Sequence, residues 1–220
     1  MNRKYERRLL KFTKDGKMRY IGHLDLMKIF QTAIRRSRLP IAYSMGFNPH
    51  QRISFAMPLP VGVESICEHV ELLLDKPADI MVLKNFLPNR LVPLTGWDIP
   101  ENAQSPTAAA AAADYRIETE EAADIENRIN EITASREVLI LKKTKKGEAM
   151  VDIKPNIVDL KYSGGGFVTM RIMGNLNPYH VARLFCENIN KLKIIRTEMY
   201  GFKQASDENK LVPLHEAVIG

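Results

Sequence analysis

An order of hydrophobic periods that occurs twice along the chain is the feature that most constrains its fold. Stretches of period two read as strands, and stretches of period 3.6 read as helices. In the first half the order is strand, helix, strand, strand, helix, strand. "YERRLLKF" (5–12) places Leu10 and Phe12 on one face and Arg7 and Lys11 on the other, with Leu9 interrupting strict alternation. "HLDLMKIFQTAIRRS" (23–37) carries Leu26, Met27, Phe30, Ala33 and Ile34 at the spacing of a buried helical stripe. "PIAY" (40–43) and "RISFAM" (52–57) read as short strands around the turn-forming "GFNP", and "EHVELLLD" (68–75) reads as a central strand. "PADIMVLKNFL" (77–87) has Pro77 at a first helical turn, and Pro93 in "RLVPLTGWDI" (90–99) argues for an edge strand.

The same order follows after residue 113. "DYRIET" reads as a strand, "EEAADIENRINEI" as a helix whose acidic start suits the N-terminal dipole, and "REVLILKK" as a strand. "GEAMVDIKPNIVDLKYS" continues to a loop, and "YSGGGF" (162–167) reads as a hairpin turn, since no P-loop lysine follows it. "GFVTMRIM" is a strand, "NPYHVARLFCENI" a helix with Asn177 as cap and Pro178 in its first turn, and "KIIRTEMYGF" a closing strand. Between the halves stands "PENAQSPTAAAAAADYR", whose six alanines at 108–113 bury little surface. The expectation is an α+β fold of two tandem ferredoxin-like (βαββαβ) domains with antiparallel sheets, at 1–104 and 114–220, joined by a linker at 105–113. Each sheet then has helices on one face and its other face free for a partner.

The charge is placed unevenly. Residues 1–50 hold twelve Lys/Arg and three Asp/Glu, a local +9 against a whole-chain +6. A basic pole attracts phosphate or an acidic partner, and it also serves simply as a soluble surface. The exposed side of the 23–37 helix shows Lys28, Arg35 and Arg36, with Arg38 just beyond. Cations at a helix C-terminus also suit its dipole, so "RRSR" needs no ligand to be explained. Arg7, Lys11, Lys17, Arg19 and Arg52 fall on neighbouring strands and loops and extend a track for a phosphate backbone. Tyr20, Tyr43 and Phe47 are interleaved with these cations and offer faces for unpaired bases. Glu71 and His69 share the sheet face of Arg7 and Lys11 and neutralise part of that patch.

His23 and Asp25 stand two apart, a spacing that points them to different sides of a helix, so they do not form a dyad. His23 lines the helix start, and Asp25 complements its positive end. His50 follows Pro49 in a loop. Either histidine is a candidate general acid or base for RNA cleavage, because imidazole titrates near neutrality. No ligand spacing supports a metal site. The two cysteines, Cys67 and Cys186, form no CxxC or CxxxCxxC pattern, so the chain is not expected to carry an iron–sulfur cluster or zinc by itself, and no cofactor is assigned. "MNRKYERRLL" lacks the apolar stretch of a signal peptide, and no run approaches a membrane-spanning length. A cytoplasmic protein without a membrane partner is expected.

The stretch "RYIGHLDLMKIFQTAIRRSRLPIAYSMGFNPHQRISFAMPLPVGVES" (19–65) resembles the signature of a bacterial family of unknown function, the radical-SAM-associated (radical-SAM-linked) proteins. The matching residues are Arg19, Tyr20, Gly22, His23, Asp25, Arg35, Arg36, Pro40, Tyr43, Ser44, Gly46, Phe47, Asn48, Pro49 and His50, with fainter likeness in "EHVELLL", "VDIKP" and the last strand. The resemblance implies a chain encoded beside, or fused to, a radical SAM protein with a B12-binding-type region, often near ribonuclease G and ribosomal-protein genes. It implies an accessory, more non-catalytic than enzymatic role, acting on RNA or a ribosome-linked substrate. It carries over no catalytic residue. A tandem ferredoxin-like chain with a helix after its first strand also resembles, in architecture, the repeat-processing endoribonucleases of CRISPR systems. Three readings follow: an accessory RNA-interacting protein, an endoribonuclease using His23 or His50, and a protein–protein adaptor whose basic helix docks an acidic surface.

Overall fold

The computed structural model describes residues 4–120, 124–144, 147–204 and 209–220 of the chain. Its elements are β1 (Glu6–Lys14), α1 (His23–Ser37), β2 (Ile53–Phe55), β3 (Glu64–Leu74), β4 (Pro93–Ile99), α2 (Pro106–Ala109), β5 (Ala110–Glu118), α3 (Ile125–Ala134), β6 (Leu139–Thr144), β7 (Gly147–Asp152), β8 (Ile157–Tyr162), β9 (Phe167–Met173), α4 (Pro178–Phe185), β10 (Lys193–Gln204), β11 (Asn209–Pro213) and α5 (Leu214–Ile219). Helices are few, and pairing between strands is mostly antiparallel. The chain forms two compact units, Met1–Ala111 with Glu198–Gly220, and Ala112–Thr197.

In unit 1, β1 lies between β4 and β3, and β2 pairs with the far edge of β3. One face of this sheet is apolar because Leu10, Phe12, Val70, Leu72 and Leu74 alternate onto it. α1 covers that face with Leu26, Phe30, Ala33 and Ile34, four of the five residues of the expected stripe, while Met27 is partly buried. The ring of Phe30 lies 4.8 Å from Phe12 and 5.3 Å from Phe55, so this one side chain joins the helix to two strands. Phe30→Ala would leave a cavity at that junction and cost about 3–5 kcal/mol. The expected helix at 77–87 is instead a 3-10 helix, Ile80–Asn85, capped by the Asp79 carboxylate, which accepts from the Met81 N–H at 2.9 Å. The expected strand at 40–43 is reduced to isolated bridges at Ile41 and Tyr43.

The other face of the unit 1 sheet is not free. Leu9 pairs with Trp97 and Glu71, and Lys11 pairs with His69. α5 lies over Trp97, with the His215 ring stacked at 4.6 Å and 11°. Leu9 and His69 are completely buried. This corrects the expectation of an open face, and it explains Leu9: a strand buried on both faces breaks simple alternation.

The alanine segment is not a linker. Pro106–Ala109 is α2, capped by Ser105, and the remaining alanines begin β5. The small side chains permit a close approach of backbone. A methyl group added at Gly201 of β10 would lie 2.9 Å from the Ala109 carbonyl oxygen and 2.7 Å from Ala217 Cβ of α5. The expected boundary at 114–220 also changes, because β10 passes from unit 2 into unit 1 at residue 198.

Unit 2 has the strand order β10-β5-β9-β8 and a separate β6–β7 hairpin. Alternation is clean. Ala113, Tyr115 and Ile117 of β5 and Val168, Met170 and Ile172 of β9 are buried, while Arg116 and Thr169 are exposed and Asp114 and Arg171 half-buried. Arg171 forks onto Asp114 at 2.6 and 2.7 Å on the outward face. α4 begins as expected, with Asn177 accepting from the Tyr179 N–H at 3.0 Å. The triglycine turn joins β8 to β9, and Gly164, Gly165 and Gly166 all take positive φ. The acidic start expected for the helix before Ile125 falls partly on 121–123, outside the described residues. No helix among the described residues is long and apolar enough to cross a membrane.

Candidate nucleic-acid interface

The basic residues do not form one track. Arg7 and Lys11 lie on the sheet face opposite α1, each inside an ion pair. Arg7 Nε donates to Glu71 at 2.7 Å, and its Nη1 donates to the carbonyls of Pro100, Glu101 and Ala103. Lys11 Nζ meets Glu198 at 3.0 Å. The Glu71 side chain is 5% exposed and that of Arg7 14%, so this pair is a structural clamp and not a ligand grip. Arg19 is held by Glu64 at 3.4 Å and donates at 2.6 Å to the hydroxyl of the exposed Tyr20. Lys28 pairs loosely with Asp25 at 3.4 Å on the helix surface.

Arg35, Arg36, Arg38 and Arg52 are placed differently. Arg35 donates to Thr32, Arg36 stacks 5.9 Å from the Phe86 ring, and Arg52 stacks 4.9 Å from Tyr5. Arg38 ends α1 in the left-handed conformation, φ 56°, and is exposed. None of these four arginines has a carboxylate partner among the described residues. Residues 26–63 contain five Lys/Arg and no Asp or Glu, a gap in the sequence that singles this segment out.

After α1, the chain enters a loop closed by its own polar groups. The Ser44 N–H donates to the His50 carbonyl at 2.8 Å, and the His50 N–H donates to Ser44 Oγ at 3.0 Å. Ser44 Oγ also lies 2.8 Å from His50 Nδ1. Gly46, at φ 120°, turns the tip, a conformation that excludes a β-carbon at little cost only for glycine. The tip presents Met45 and Phe47 with their side chains in solvent, beside the half-exposed Tyr43. The two histidines have different surroundings. His23, the first residue of α1 after the Gly22 cap, packs edge-on to Phe55 at 5.4 Å, whereas His50 binds Ser44.

Below the loop is a cleft of about 510 Å³. Its lining includes His50, Gln51, Arg52, Ser54 and Leu73, together with the Arg7–Glu71 pair, Glu101 and Ser105. Gln51 is 6% exposed, and its Nε2 donates to the Gln31 carbonyl of α1 at 3.3 Å. The sequence pointed to Ser44 only as a residue of the 19–65 motif, and it gave no sign of Gln51 and Ser54. Their role depends on strand pairing across β2 and β3, and only the acid-free stretch pointed to the segment. Among the described residues no group of three or more His, Cys, Asp or Glu is placed to hold a metal ion. Cys67 and Cys186 are buried free thiols, one in each unit.

No curated protein matches the chain. A family model described as "Uncharacterized protein conserved in bacteria (DUF2344)" matches residues 7–184, a span that contains α1, the loop and the cleft. The chain therefore belongs to this bacterial family, DUF2344.

Proposed function

We propose that this chain is a cytoplasmic accessory protein of a radical SAM enzyme, and that it contacts RNA or a ribosome-linked substrate through α1 and the 43–52 segment. The carrying observation is the surface itself: Arg35, Arg36, Arg38 and Arg52 without carboxylate partners, next to exposed Tyr43 and Phe47. Cations supply sequence-independent attraction to a phosphate backbone, and aromatic faces stack on unpaired bases. The radical SAM partner, with its B12-binding-type region, rests on the resemblance carried by residues 19–65. Two buried, widely separated cysteines fit a chain that leaves cluster chemistry to that partner. The tandem ferredoxin-like reading is supported by the antiparallel order β4-β1-β3-β2 in unit 1 and β10-β5-β9-β8 in unit 2.

A second reading, an endoribonuclease, is favoured by one observation: His50 lines the cleft beside Arg52. The deciding experiment is a pull-down of the full chain from cells, with cross-linked RNA and co-purifying proteins both identified. Recovery of RNA together with a radical SAM protein supports the proposal. Recovery of an acidic protein without RNA favours the adaptor. Cleavage of RNA by the purified chain, lost in His50→Ala, replaces the accessory reading with the nuclease.

A further inference from the structure

The cleft carries both donors and an acceptor. The loop and the residues after it supply the donors. Ser44 Oγ accepts the His50 backbone N–H and lies 2.8 Å from His50 Nδ1, and in the tautomer where Ser44 donates to Nδ1 the ring proton sits on Nε2. Arg52 adds a guanidinium with no carboxylate partner among the described residues. The two carboxylates of the cleft are already compensated, Glu71 by Arg7 at 2.7 Å and Glu101 by Lys4 at 3.3 Å. β2 supplies the acceptor. Thr107 gives its proton to the Phe55 carbonyl at 3.1 Å, so in the 2.8 Å contact between Ser54 and Thr107 the serine is the donor. Ser54 Oγ therefore keeps its accepting lone pairs. Gln51 does not join it, because its buried side chain turns to α1, where Nε2 donates to the Gln31 carbonyl.

We infer that this cleft is a ribonucleotide subsite, with a phosphodiester held by Arg52 and His50 Nε2 and the ribose 2′-hydroxyl donating to the acceptor Ser54, two residues from Arg52 on the same face of β2. An anion flanked by a hydroxyl donor is the repeating chemistry of RNA, and the 2′-hydroxyl is the group that distinguishes it from DNA. The cleft volume of about 510 Å³ lies in the range of small-ligand sites. The inference rests on the RNA reading above and adds sugar selectivity to it.

The test is titration of the full chain with labelled oligouridylate and with the deoxy oligomer of the same sequence, read by fluorescence anisotropy. RNA should bind about tenfold more tightly, the equivalent of about one net hydrogen bond. Ser54→Ala should bring the ratio to within about twofold, while Arg52→Gln should weaken both oligomers alike and leave the ratio unchanged. A 2′-O-methyl oligomer, which has lost the donor, should bind wild-type protein as DNA does, and this arm does not depend on any variant folding. Equal, salt-sensitive binding of RNA and DNA overturns the subsite but leaves the polyanion grip standing. A preference for RNA that survives both Ser54→Ala and 2′-O-methylation also overturns it. Absence of any binding to RNA removes the RNA reading itself, and the subsite with it.

Discussion

Arg7 and Lys11 on β1 and Arg35, Arg36 and Arg52 beyond it belong to the same basic segment, yet the fold uses them in opposite ways. The first pair is turned inward. Glu71 and Glu198, far away in sequence, neutralise them, and α5 closes that side of the sheet over Trp97. The second group is exposed and has only a hydroxyl or an aromatic ring beside it. A local +9 therefore overstates the field available to a polyanion. What matters is which cations lack a carboxylate within reach, because a paired charge presents little net potential at a distance. The outward face of unit 2 offers the same lesson: the Arg171–Asp114 fork makes a charged surface without making a basic one.

Breaking the inward pair should have the largest effect. Arg7→Met leaves Glu71 buried without its partner and should cost about 3–5 kcal/mol in urea unfolding, with no change in the salt slope of RNA binding once the folded fraction is matched. Adding Glu71→Leu to Arg7→Met should recover much of that loss. A double variant no better than the single one would mean that the carbonyls of 100–103, not Glu71, are what Arg7 chiefly serves. Next, Gly201→Ala drives a methyl group into Ala109 and Ala217 and should cost about 1–3 kcal/mol, seen as a lowered melting temperature. An unchanged melt would show that α5 does not close tightly over this side. The double change Arg35→Ala with Arg36→Ala should alter stability by about 1 kcal/mol or less, yet reduce the slope of log K against log salt by about 1.4 for single-stranded RNA. A slope that does not move would place the grip elsewhere.

The smallest effect lies outside unit 1, on α4. Burial, then Arg183 and Lys142, hold the His180 imidazole below its ordinary range. The unfolded chain therefore takes up a proton first as pH falls. The stability linked to His180 is fully present above its ordinary pKa near 6.5 and is lost as pH drops toward the lower folded value. His180→Gln should flatten the shallow dependence of unfolding midpoint on pH just below 6.5, and it should leave RNA binding at neutral pH unchanged.

Some of this was legible residue by residue. The apolar spacing of Leu26, Phe30, Ala33 and Ile34 placed α1, and Asn177 with Pro178 placed the start of α4. Pro93 indicated an edge strand, and β4 ends the sheet. Leu9, which spoiled the alternation of β1, was the one local sign that this strand is buried on both faces. The candidate site was legible only as a segment. The acid-free run from 26 to 63 and the exposed aromatics marked where to look, but the cleft needs Arg7, Glu71 and Ser105 brought against His50 and Arg52. Those pairings span tens of residues and leave no periodic trace.

The sequence by itself determined the strongly periodic elements, such as α1, the central strand β3 and the capped start of α4, and where positive charge outnumbers negative. Both are local properties, carried by side-chain spacing and by counting. The tertiary structure alone decided that the six-alanine run is not a spacer, because its small side chains matter only once Gly201 and Ala217 lie against it. It alone decided that Arg7 is a clamp while Arg52 stays available, since β3 carries both arginines opposite Leu73, one on each side, and Glu71 pairs with Arg7 while Arg52 stacks on Tyr5. The physical reason is the same in each case: the free energy of a charge or a methyl group depends on its neighbours in space, and those neighbours are chosen by long-range pairing that no local pattern encodes.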